Sequence, residues 1–404
     1  MTNETDYVIV YGTQNLVEFS KRYAKWHGWV SLIICSLGII GNVFNIIVLT
    51  RKTMISTTNY LLTALAVSDL FTMLSYVPFA LHFYIIFEPM VSPERDTKTW
   101  GKFLVFHLNF TVTTHTTAIW LGVVLSAFRY SFIRGSNRFS SWWIFGVYVC
   151  SVIILIPMYL SVRLKEETSG NNNSIYVIAE PPPDSSYSLI VTRLNFWIHA
   201  ILIKLLPCIL MLVFGLLLVW TLKRTETKSL QLRRQSRSEN FKVRMREHAR
   251  TTRMLVVVIT LFLITELPQG FLTLCSGSMR GFHRAVYTPL GDIMDLVALV
   301  NNAINFTCYC TMSKQFRQTF LKLFCPQYRQ TETATEYSVS RALISRTFEQ
   351  SQRRRSSAVS HQTRLSSLAS LFCLSVNNNE EDGEVDQGVT EGNEDELKIQ
   401  TVAV

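Results

Sequence analysis

Seven apolar runs, each long enough to cross a lipid bilayer as a helix, constrain the fold of this chain more than any other feature. The hydrocarbon core of a bilayer is about 30 Å thick and a helix rises about 1.5 Å per residue, so one crossing needs about 20 mostly apolar residues. Because only helices and closed barrels satisfy their backbone groups in lipid, and the runs lack the alternation of barrel strands, the sequence predicts an all-α membrane protein, a seven-transmembrane helix bundle. The runs extend from Trp29 to Leu49, Tyr60 to Phe87, Phe103 to Phe128, Trp142 to Val162, Phe196 to Leu222, Met254 to Cys275 and Val286 to Thr311.

The placement of the basic residues predicts the orientation of this bundle. The chain has 404 residues, of which 48% are hydrophobic, and a formal net charge of +10. The positive-inside rule places basic loops in the cytoplasm, so we expect a multi-pass protein of the plasma membrane with an extracellular N-terminus. Because the charge lies in loops beside lipid, the expected partner is the bilayer and not nucleic acid. The basic residues concerned follow the first, fifth and seventh runs: Arg51, Lys52, Lys223, Arg224, Lys228, Arg233, Arg234, Arg237, Lys242, Arg244, Arg246, Arg250, Arg253, Lys314, Arg317 and Lys322.

The segments predicted to lie outside the cell carry candidate glycosylation sites. Residues 1–25 lack the apolar core of a cleavable signal peptide, so the first helix is expected to start membrane insertion. Asn3 and Asn172 each begin an acceptor sequon on these outside segments. The long outside loop, roughly 163–192, contains no cysteine. We therefore expect no extracellular disulfide, unless Cys275 finds an unexpected partner.

Beyond the seventh run the chain is predicted to form a short helix and then a tail. Residues 313–324 place apolar residues, Phe316 and Phe320 among them, opposite basic ones, which predicts an amphipathic eighth helix with these rings against lipid. Cys325 follows it as a candidate palmitoylation site. Residues 326–404 are rich in polar and charged residues, which predicts a disordered C-terminal tail in the cytoplasm, with serines that kinases could modify.

Two opposite charges interrupt the fifth and sixth runs at similar depth. Lys204 lies one turn before Pro207, and Glu266 lies two residues before Pro268. Ionisable residues are costly inside a membrane, and each offsets the cost of the other if they pair across the two helices. The alternative is that each meets water separately in an open cavity. His115 on the third helix is a candidate for the same layer.

Three further acids lie within predicted helices. Asp69 is the first charge in the membrane interior and is expected to face the bundle with polar partners. Asp292 and Asp295 are three residues apart on the outer part of the seventh helix, so they share one face. Such an acidic site suits a ligand carrying arginine, whose guanidinium pairs with a carboxylate through two parallel hydrogen bonds. The alternative for Asp292 and Asp295 is a solvated helix end.

A set of landmark residues carries a resemblance to a known family. They look like the landmarks of rhodopsin-like G-protein-coupled receptors, and the resemblance covers residues 25–325. The strings NIIVLTRKTMISTTNYLLTALAVSDL, HTTAIWLGVVLSAFRY, KLLPC and FLITELPQG more closely resemble the invertebrate myosuppressin and FMRFamide-related peptide receptors, with nematode-type chemosensory receptors for small molecules as the alternative. The landmarks are Gly41-Asn42, Leu65 to Asp69, Phe128-Arg129-Tyr130, Pro207, Pro268 and Asn305 to Tyr309.

This resemblance implies a receptor domain over 29–325 that binds amidated peptides ending in Arg-Phe-amide. It also implies signalling through heterotrimeric G proteins of the inhibitory Gi/o class, with arrestin and kinases acting on the tail and no cofactor. The candidate ligand-binding residues are Tyr76, Phe83, Thr111, His115, Trp197, His199, Asp292 and Asp295.

The resemblance also implies an activation switch in the inner half of the bundle. Asp69 would join Asn42, Asn301 and Asn305 in a polar network able to hold a sodium ion, although a purely structural cluster is the alternative. Arg129 would rest against the sixth helix in the inactive state and against the G protein in the active state. The candidate switch residues are Asn42, Asp69, Arg129, Lys204, Glu266, Pro268, Asn301, Asn305 and Tyr309.

The chain departs from the landmarks at four places. The outer end of the third helix, residues 101–104, lacks the usual cysteine, and Phe128 stands where an acid normally precedes the arginine. Glu266 replaces the usual tryptophan before Pro268, and Phe306 replaces a proline in the seventh helix. These departures leave the architecture intact but put the standard accounts of locking and switching in doubt.

Other classes of protein fit the sequence poorly. It has no phosphate-binding loop, no nucleophile elbow and no metal-ligand spacing, so an enzyme is not expected. A transporter predicts repeated halves with matched broken helices, and no such repeat is visible.

Overall fold

The computed structural model describes residues 13–87, 89–135, 142–168, 174–179, 186–235, 239–279 and 281–325, together with residues 341, 345 and 349. Within these ranges, seven helices are long and apolar enough to cross a membrane. The seven-helix bundle predicted from the sequence is therefore confirmed. The candidate glycosylation sites Asn3 and Asn172 lie outside the described residues, as does the tail apart from residues 341, 345 and 349.

The helices and strands are named here in chain order. Three of the seven crossings contain π-helical segments, and one is interrupted at Leu155. The elements are α1 (Thr13–Leu49), α2 (Thr57–Ala80, continued by the π-helical Leu81–Ile86), α3 (Lys98–Ile133), α4 (Trp142–Ile154, continued by Ile156–Ser161), β1 (Arg163–Thr168), β2 (Ser174–Ala179), α5 (Ser186–Trp197, the π-helical Ile198–Leu205 and Leu206–Gln235), α6 (Glu239–Ser278), α7 (the π-helical His283–Tyr287 and Thr288–Met312) and α8 (Lys314–Phe324).

Several crossings extend beyond their apolar runs. The helix α1 begins at Thr13, well before Trp29, and α3 begins at Lys98 and ends at Ile133. Hydropathy marks only the part of a helix that lies in lipid. The helical hydrogen bonds can continue into water where the residues there also favour a helix. Part of segment 1–28, predicted only to lie outside, is thus the outer end of α1.

The π-helical turns in α2 and α5 accompany prolines. A proline inside a helix has no N–H to donate and crowds the carbonyl four residues earlier. In α5 the backbone N–H of Leu206 donates to the oxygen of Ile201, five residues back, immediately before Pro207. A π-helical turn holds more residues than an α-helical turn. Residues beyond it therefore face a direction that a regular helical count does not give.

The loop between α4 and α5, predicted to lie outside the cell, contains a β-hairpin that the sequence analysis did not predict. Strands β1 and β2 pair antiparallel, with Leu164 opposite Ile178 and Glu166 opposite Tyr176. Directly opposed residues point to the same face of a sheet. One face of the hairpin therefore carries Leu164, Glu166, Tyr176 and Ile178.

The inner half of the bundle is closed by α8. Ser313 caps α8 by accepting a hydrogen bond from the backbone N–H of Phe316, 3.2 Å away. Phe316 is buried against Phe306 and Tyr309, so the prediction that its ring faces lipid is wrong. Part of the apolar face of α8 therefore packs on α7. The position of α8 at the membrane surface and the palmitoylation of Cys325 stay predictions.

Small residues let α1 approach its neighbours closely. A Cβ atom added at Gly38 would overlap the side chain of Met73 and lie 3.0 Å from the Cβ of Ala303. A Cβ atom at Gly41 would lie 3.0 Å from the Cβ of Phe306. Close packing of this kind, rather than the hydrophobic effect, drives helix association inside lipid. Glycine at these positions is therefore required for α1 to pack on α2 and α7.

We predict that Gly38→Leu destabilises the bundle by about 1–3 kcal/mol, as overpacking usually does. The measurement is thermal denaturation of the purified receptor in detergent. Gly146→Leu on α4 is the matched control, because no atom lies within 4 Å of a Cβ added there. Equal denaturation temperatures for the two variants would contradict the packing argument.

Candidate functional site

A buried ion pair joins α5 to α6. The ammonium Nζ of Lys204 lies 2.8 Å from Oε2 of Glu266, and the two side chains are only 2% and 1% exposed. The predicted interhelical pair is thus confirmed, and the alternative that each charge meets water separately is wrong. Burying the pair away from water strengthens its attraction, and removing one partner would leave an uncompensated charge.

Two more polar side chains complete this layer. The side-chain oxygen Oε1 of Gln269 accepts a hydrogen bond from Lys204 at 2.7 Å. The ring nitrogen Nε2 of His115 lies 3.2 Å from Oε1 of Glu266, as expected for a member of the same layer. These two atoms lack hydrogen-bond alignment, so Oε1 of Glu266 has no hydrogen-bond partner among the described side chains. The layer links α3, α5 and α6.

A cavity of about 200 Å³ lies beside the charged layer. It brings together five of the predicted ligand-binding residues, which are Tyr76, Thr111, His115, His199 and Asp295. Lys204 and Gln269 contribute to its wall, and so do Asn302 of α7 and Tyr287 at the outer end of α7. The full lining is Thr72, Tyr76, Thr111, Val112, His115, Thr116, His199, Ile203, Lys204, Gln269, Tyr287, Asp295, Ala298, Leu299 and Asn302.

The two acids of α7 have different surroundings. The carboxylate of Asp292 accepts a hydrogen bond from the hydroxyl of Tyr84, 2.8 Å away, and Asp292 does not line the cavity. Asp295 lines the cavity and is classed as an exposed residue. The sequence left open which acid would meet a cationic ligand. The geometry favours Asp295.

Three predicted ligand-binding residues, Asp292, Trp197 and Phe83, lie outside this cavity, and their contact with a ligand stays a prediction. Asp292 is held by Tyr84. Trp197 is 49% exposed on the outer surface of α5, and Phe83 is buried beneath the guanidinium of Arg95, which lies 5.6 Å from its ring centre. Phe83 lies in the π-helical segment of α2, and Trp197 immediately precedes that of α5. The sequence pattern did not reveal these wider turns, which change the face that a residue occupies.

Gln269 and Asn302 are polar cavity residues that the sequence analysis did not name. Gln269 follows Glu266 by three residues on α6, so helical spacing could have placed both on one face. Asn302 was not named, although Asn301 and Asn305 on the same helix were candidate switch residues. Its side-chain Nδ2 is buried without a hydrogen-bond partner in the described part of the chain. This free donor lies on a residue of the cavity wall.

The polar network around Asp69 is smaller than predicted. Asn305 donates a hydrogen bond to Oδ2 of Asp69 at 2.9 Å, as expected. Asn42 instead donates to the backbone oxygens of Gly38 and Asn302, at 3.0 and 3.1 Å. The prediction that Asn42 is a partner of Asp69 is therefore corrected. The Asn42 side-chain amide instead joins α1 to the backbone of α7. Asn301 is buried one turn before Asn305.

The inner end of the bundle contains a second cavity, of about 350 Å³. Its wall includes Arg129 and Phe128 of α3, Met254 of α6 and Tyr309 of α7. Arg129 and Tyr309 are both buried. Their Nε and hydroxyl atoms have no hydrogen-bond partner among the residues described. Two predicted switch residues therefore share one cavity.

The chain matches a known family over most of its length. The serpentine type 7TM GPCR chemoreceptor Srw family matches residues 29–327. Relatives include the G-protein coupled receptor dmsr-1 of Caenorhabditis elegans, which is 28% identical over 351 residues, covering 75% of this chain and 69% of that protein. The sex peptide receptor of Drosophila melanogaster is 24% identical, covering 78% and 76% of the two chains, and the FMRFamide receptor of the same species is 24% identical, covering 72% and 52%. These relatives are receptors and not enzymes. The chain itself belongs to the serpentine type 7TM GPCR chemoreceptor Srw family, and it is a multi-pass, rhodopsin-like G-protein-coupled receptor.

Proposed function

We propose that this protein is a cell-surface receptor for amidated peptides that end in Arg-Phe-amide, of the FMRFamide-like or myosuppressin-like type. The observation that carries the proposal is Asp295, an exposed residue that lines a cavity within the bundle. Similarity to an FMRFamide receptor and to a sex peptide receptor supports a peptide ligand.

The charges around the cavity support an arginine-bearing ligand. Lys204 is cationic and lines the cavity, but Glu266 compensates its charge at 2.8 Å. Asp295 then supplies the acid that a ligand can reach. A guanidinium can pair with a carboxylate through two hydrogen bonds, which fixes orientation as well as adding affinity. Tyr76 and Tyr287 line the same cavity and offer aromatic surface to a phenylalanine side chain.

A small-molecule chemoreceptor is the second candidate function. It is favoured by the chemoreceptor description of the family, whereas the cavity, at about 200 Å³, is smaller than is usual for a drug-sized ligand. Pockets for drug-sized ligands usually hold about 300–1,000 Å³. A peptide terminus of one or two residues is the part that such a cavity would receive, with the remainder lying outside it.

For activation we propose that ligand binding alters the layer formed by Lys204, Glu266 and His115. The layer and the cavity share Lys204 and His115, so a ligand in the cavity contacts the layer directly. Glu266 lies just before Pro268 of α6, where the missing N–H weakens the helix. A changed ion pair would therefore bias the inner half of α6 relative to Arg129 and Tyr309.

The remaining proposals concern the cellular context. The receptor is proposed to lie in the plasma membrane with its N-terminus outside, glycosylated at Asn3 and Asn172. It is proposed to signal through Gi/o proteins, to bind sodium at Asp69, to be palmitoylated at Cys325 and to be regulated by kinases and arrestin through the tail. These proposals are supported by the sequons, the basic inner loops and the resemblance to peptide receptors.

We predict that an Arg-Phe-amide peptide activates the receptor, and that its free-acid and Arg→Ala forms are much weaker. Asp295→Asn should reduce the potency of the amidated peptide by about 10–100-fold, since a hydrogen bond to a charged group contributes about 1.5–3 kcal/mol. The measurement is G-protein activation in cells, normalised to surface expression.

The Arg→Ala peptide supplies the control for this experiment. Its potency should change little with Asp295→Asn, because the contact is already absent. Asp292→Asn is the matched receptor control and should have a smaller effect, since Asp292 already accepts a hydrogen bond from Tyr84. Equal losses for both peptides would refute the pairing with Asp295. Activation by volatile small molecules, with no response to a library of amidated peptides, would favour the chemoreceptor.

We predict that Lys204→Met and Glu266→Gln each impair surface expression or signalling, and that the double variant recovers part of the loss. Each single change leaves a buried partner unpaired, whereas the double change removes both charges. A double-mutant cycle should give a coupling of about 0.5–3 kcal/mol, as is usual for contacting residues. The measurements are surface expression and G-protein activation.

The exposed pair Lys165 and Glu167 is the matched control. It has a similar separation, 3.0 Å, but its side chains are 62% and 45% exposed. Exposed pairs contribute little, so neutralising it should give additive effects near zero. Strict additivity for Lys204 and Glu266 as well would mean that their contact has no part in folding or signalling.

A further inference from the structure

The β-hairpin packs closely on the outer end of α3. A Cβ atom added at Gly101 would lie 2.7 Å from Cδ1 of Leu164 and 3.1 Å from the Cβ of Tyr176. The Leu164 methyl is at the end of a flexible side chain and could move aside. The Tyr176 Cβ is fixed to the backbone of β2, so a side chain at residue 101 would displace the strand itself. The absence of a side chain at Gly101 therefore allows the hairpin to pack against α3.

A second contact joins the hairpin to the loop before α3. The backbone N–H of Tyr176 donates to the backbone oxygen of Asp96 at 2.9 Å. The side chain of Asp96 is buried and organises its own loop. It accepts a hydrogen bond from the backbone N–H of Ser92 at 3.0 Å, and it pairs with Nε of Arg95 at 3.1 Å. The backbone oxygen that accepts the hydrogen bond from Tyr176 is thus part of a locally rigid turn.

This loop is fastened in turn to α2 and α3. The ring of His82 stacks on Trp100 with centroids 3.6 Å apart. The Nε2 atom of His82 lies 2.9 Å from the backbone oxygen of Arg95, at hydrogen-bond distance. The Arg95 guanidinium lies over Phe83. Helices α2 and α3, the loop and the hairpin therefore form one continuous set of contacts.

We propose that Gly101 and Asp96 are positioning residues of a non-covalent clamp that fixes the hairpin on α3. The loop from 163 to 192 has no cysteine, so no disulfide can originate from it. The clamp replaces a disulfide with a close approach between backbones and one hydrogen bond of the kind that joins neighbouring strands. The same helix carries Thr111 and His115 of the cavity, so the clamp sets where the hairpin stands relative to the ligand-binding half of α3.

Cysteine cross-linking tests this geometry without a ligand. The double variant Gly101→Cys/Tyr176→Cys should form a disulfide in the intact receptor, because disulfides have Cβ atoms about 3.5–4.5 Å apart and a small shift gives that spacing. A protease site inserted between α3 and α4 then yields fragments that stay joined only when the disulfide is present. Reduction should separate them.

The control is Gly101→Cys/Val177→Cys. Val177 is the next residue of β2, and successive strand residues point to opposite faces. Its cross-linking yield should be lower by about fivefold or more, given the geometry that a disulfide requires. The single variant Gly101→Cys corrects for pairing with native cysteines. Similar yields for the Tyr176 and Val177 pairs would overturn the clamp.

Asp96→Ala tests the second half of the clamp in the same assay. Losing the contacts to Ser92 and Arg95 should make the loop more mobile. The Gly101–Tyr176 cross-linking yield should then fall by about half or more, because a disulfide forms only within a narrow range of geometries. An unchanged yield would remove Asp96 from the proposal. If Asp96→Ala reaches the surface poorly, the yield is measured on the surface fraction alone. In wild-type receptor, mild reduction should leave the denaturation temperature unchanged, and a drop would show that a disulfide elsewhere in the chain stabilises the bundle.

Discussion

The ion pair between Lys204 and Glu266 is the interaction on which the site depends, because the bilayer interior offers no water to either charge. Once α5 and α6 cross the membrane with these residues at equal depth, pairing is the arrangement that offsets both desolvation costs. Gln269 supplies a further acceptor to Lys204, and His115 approaches the carboxylate. The cavity forms directly beside this layer, so the ligand-facing wall and the helix-to-helix contact share the same side chains.

Irregular helices determine which residues surround this layer. The π-helical turns in α2 and α5 occur near Pro78 and Pro207, where the regular hydrogen-bond pattern cannot be completed. They change the faces that later residues occupy, which leaves Lys204 buried against α6. Phe83 lies within the π-helical segment of α2, whereas Trp197 precedes that of α5, and both lie away from the cavity. In this bundle, local departures from α-helical geometry are thus part of how the site is built.

The outer side of the bundle relies on close packing in place of a covalent link. Gly101 allows the hairpin to pack closely on α3, and the backbone oxygen of Asp96 accepts a hydrogen bond from a backbone N–H of the hairpin. Similar use of glycine brings α1 against α2 and α7 at Gly38 and Gly41. Inside lipid, where the hydrophobic effect does not favour one helix contact over another, such close approaches supply much of the specificity.

The sequence by itself determined the seven crossings and the pairing of Lys204 with Glu266, because lipid permits few ways to bury a backbone or a charge. It also named Tyr76, Thr111, His115, His199 and Asp295 as candidate ligand-binding residues, and these five line one cavity. Only the tertiary structure decided that Asp295 and not Asp292 lines the cavity, that Asn42 holds the backbone of α7, and that the outer loop folds as a hairpin. Those outcomes depend on which neighbouring group each polar side chain hydrogen-bonds with, and on the extra residues in the π-helical turns. The spacing of residues along one helix encodes neither.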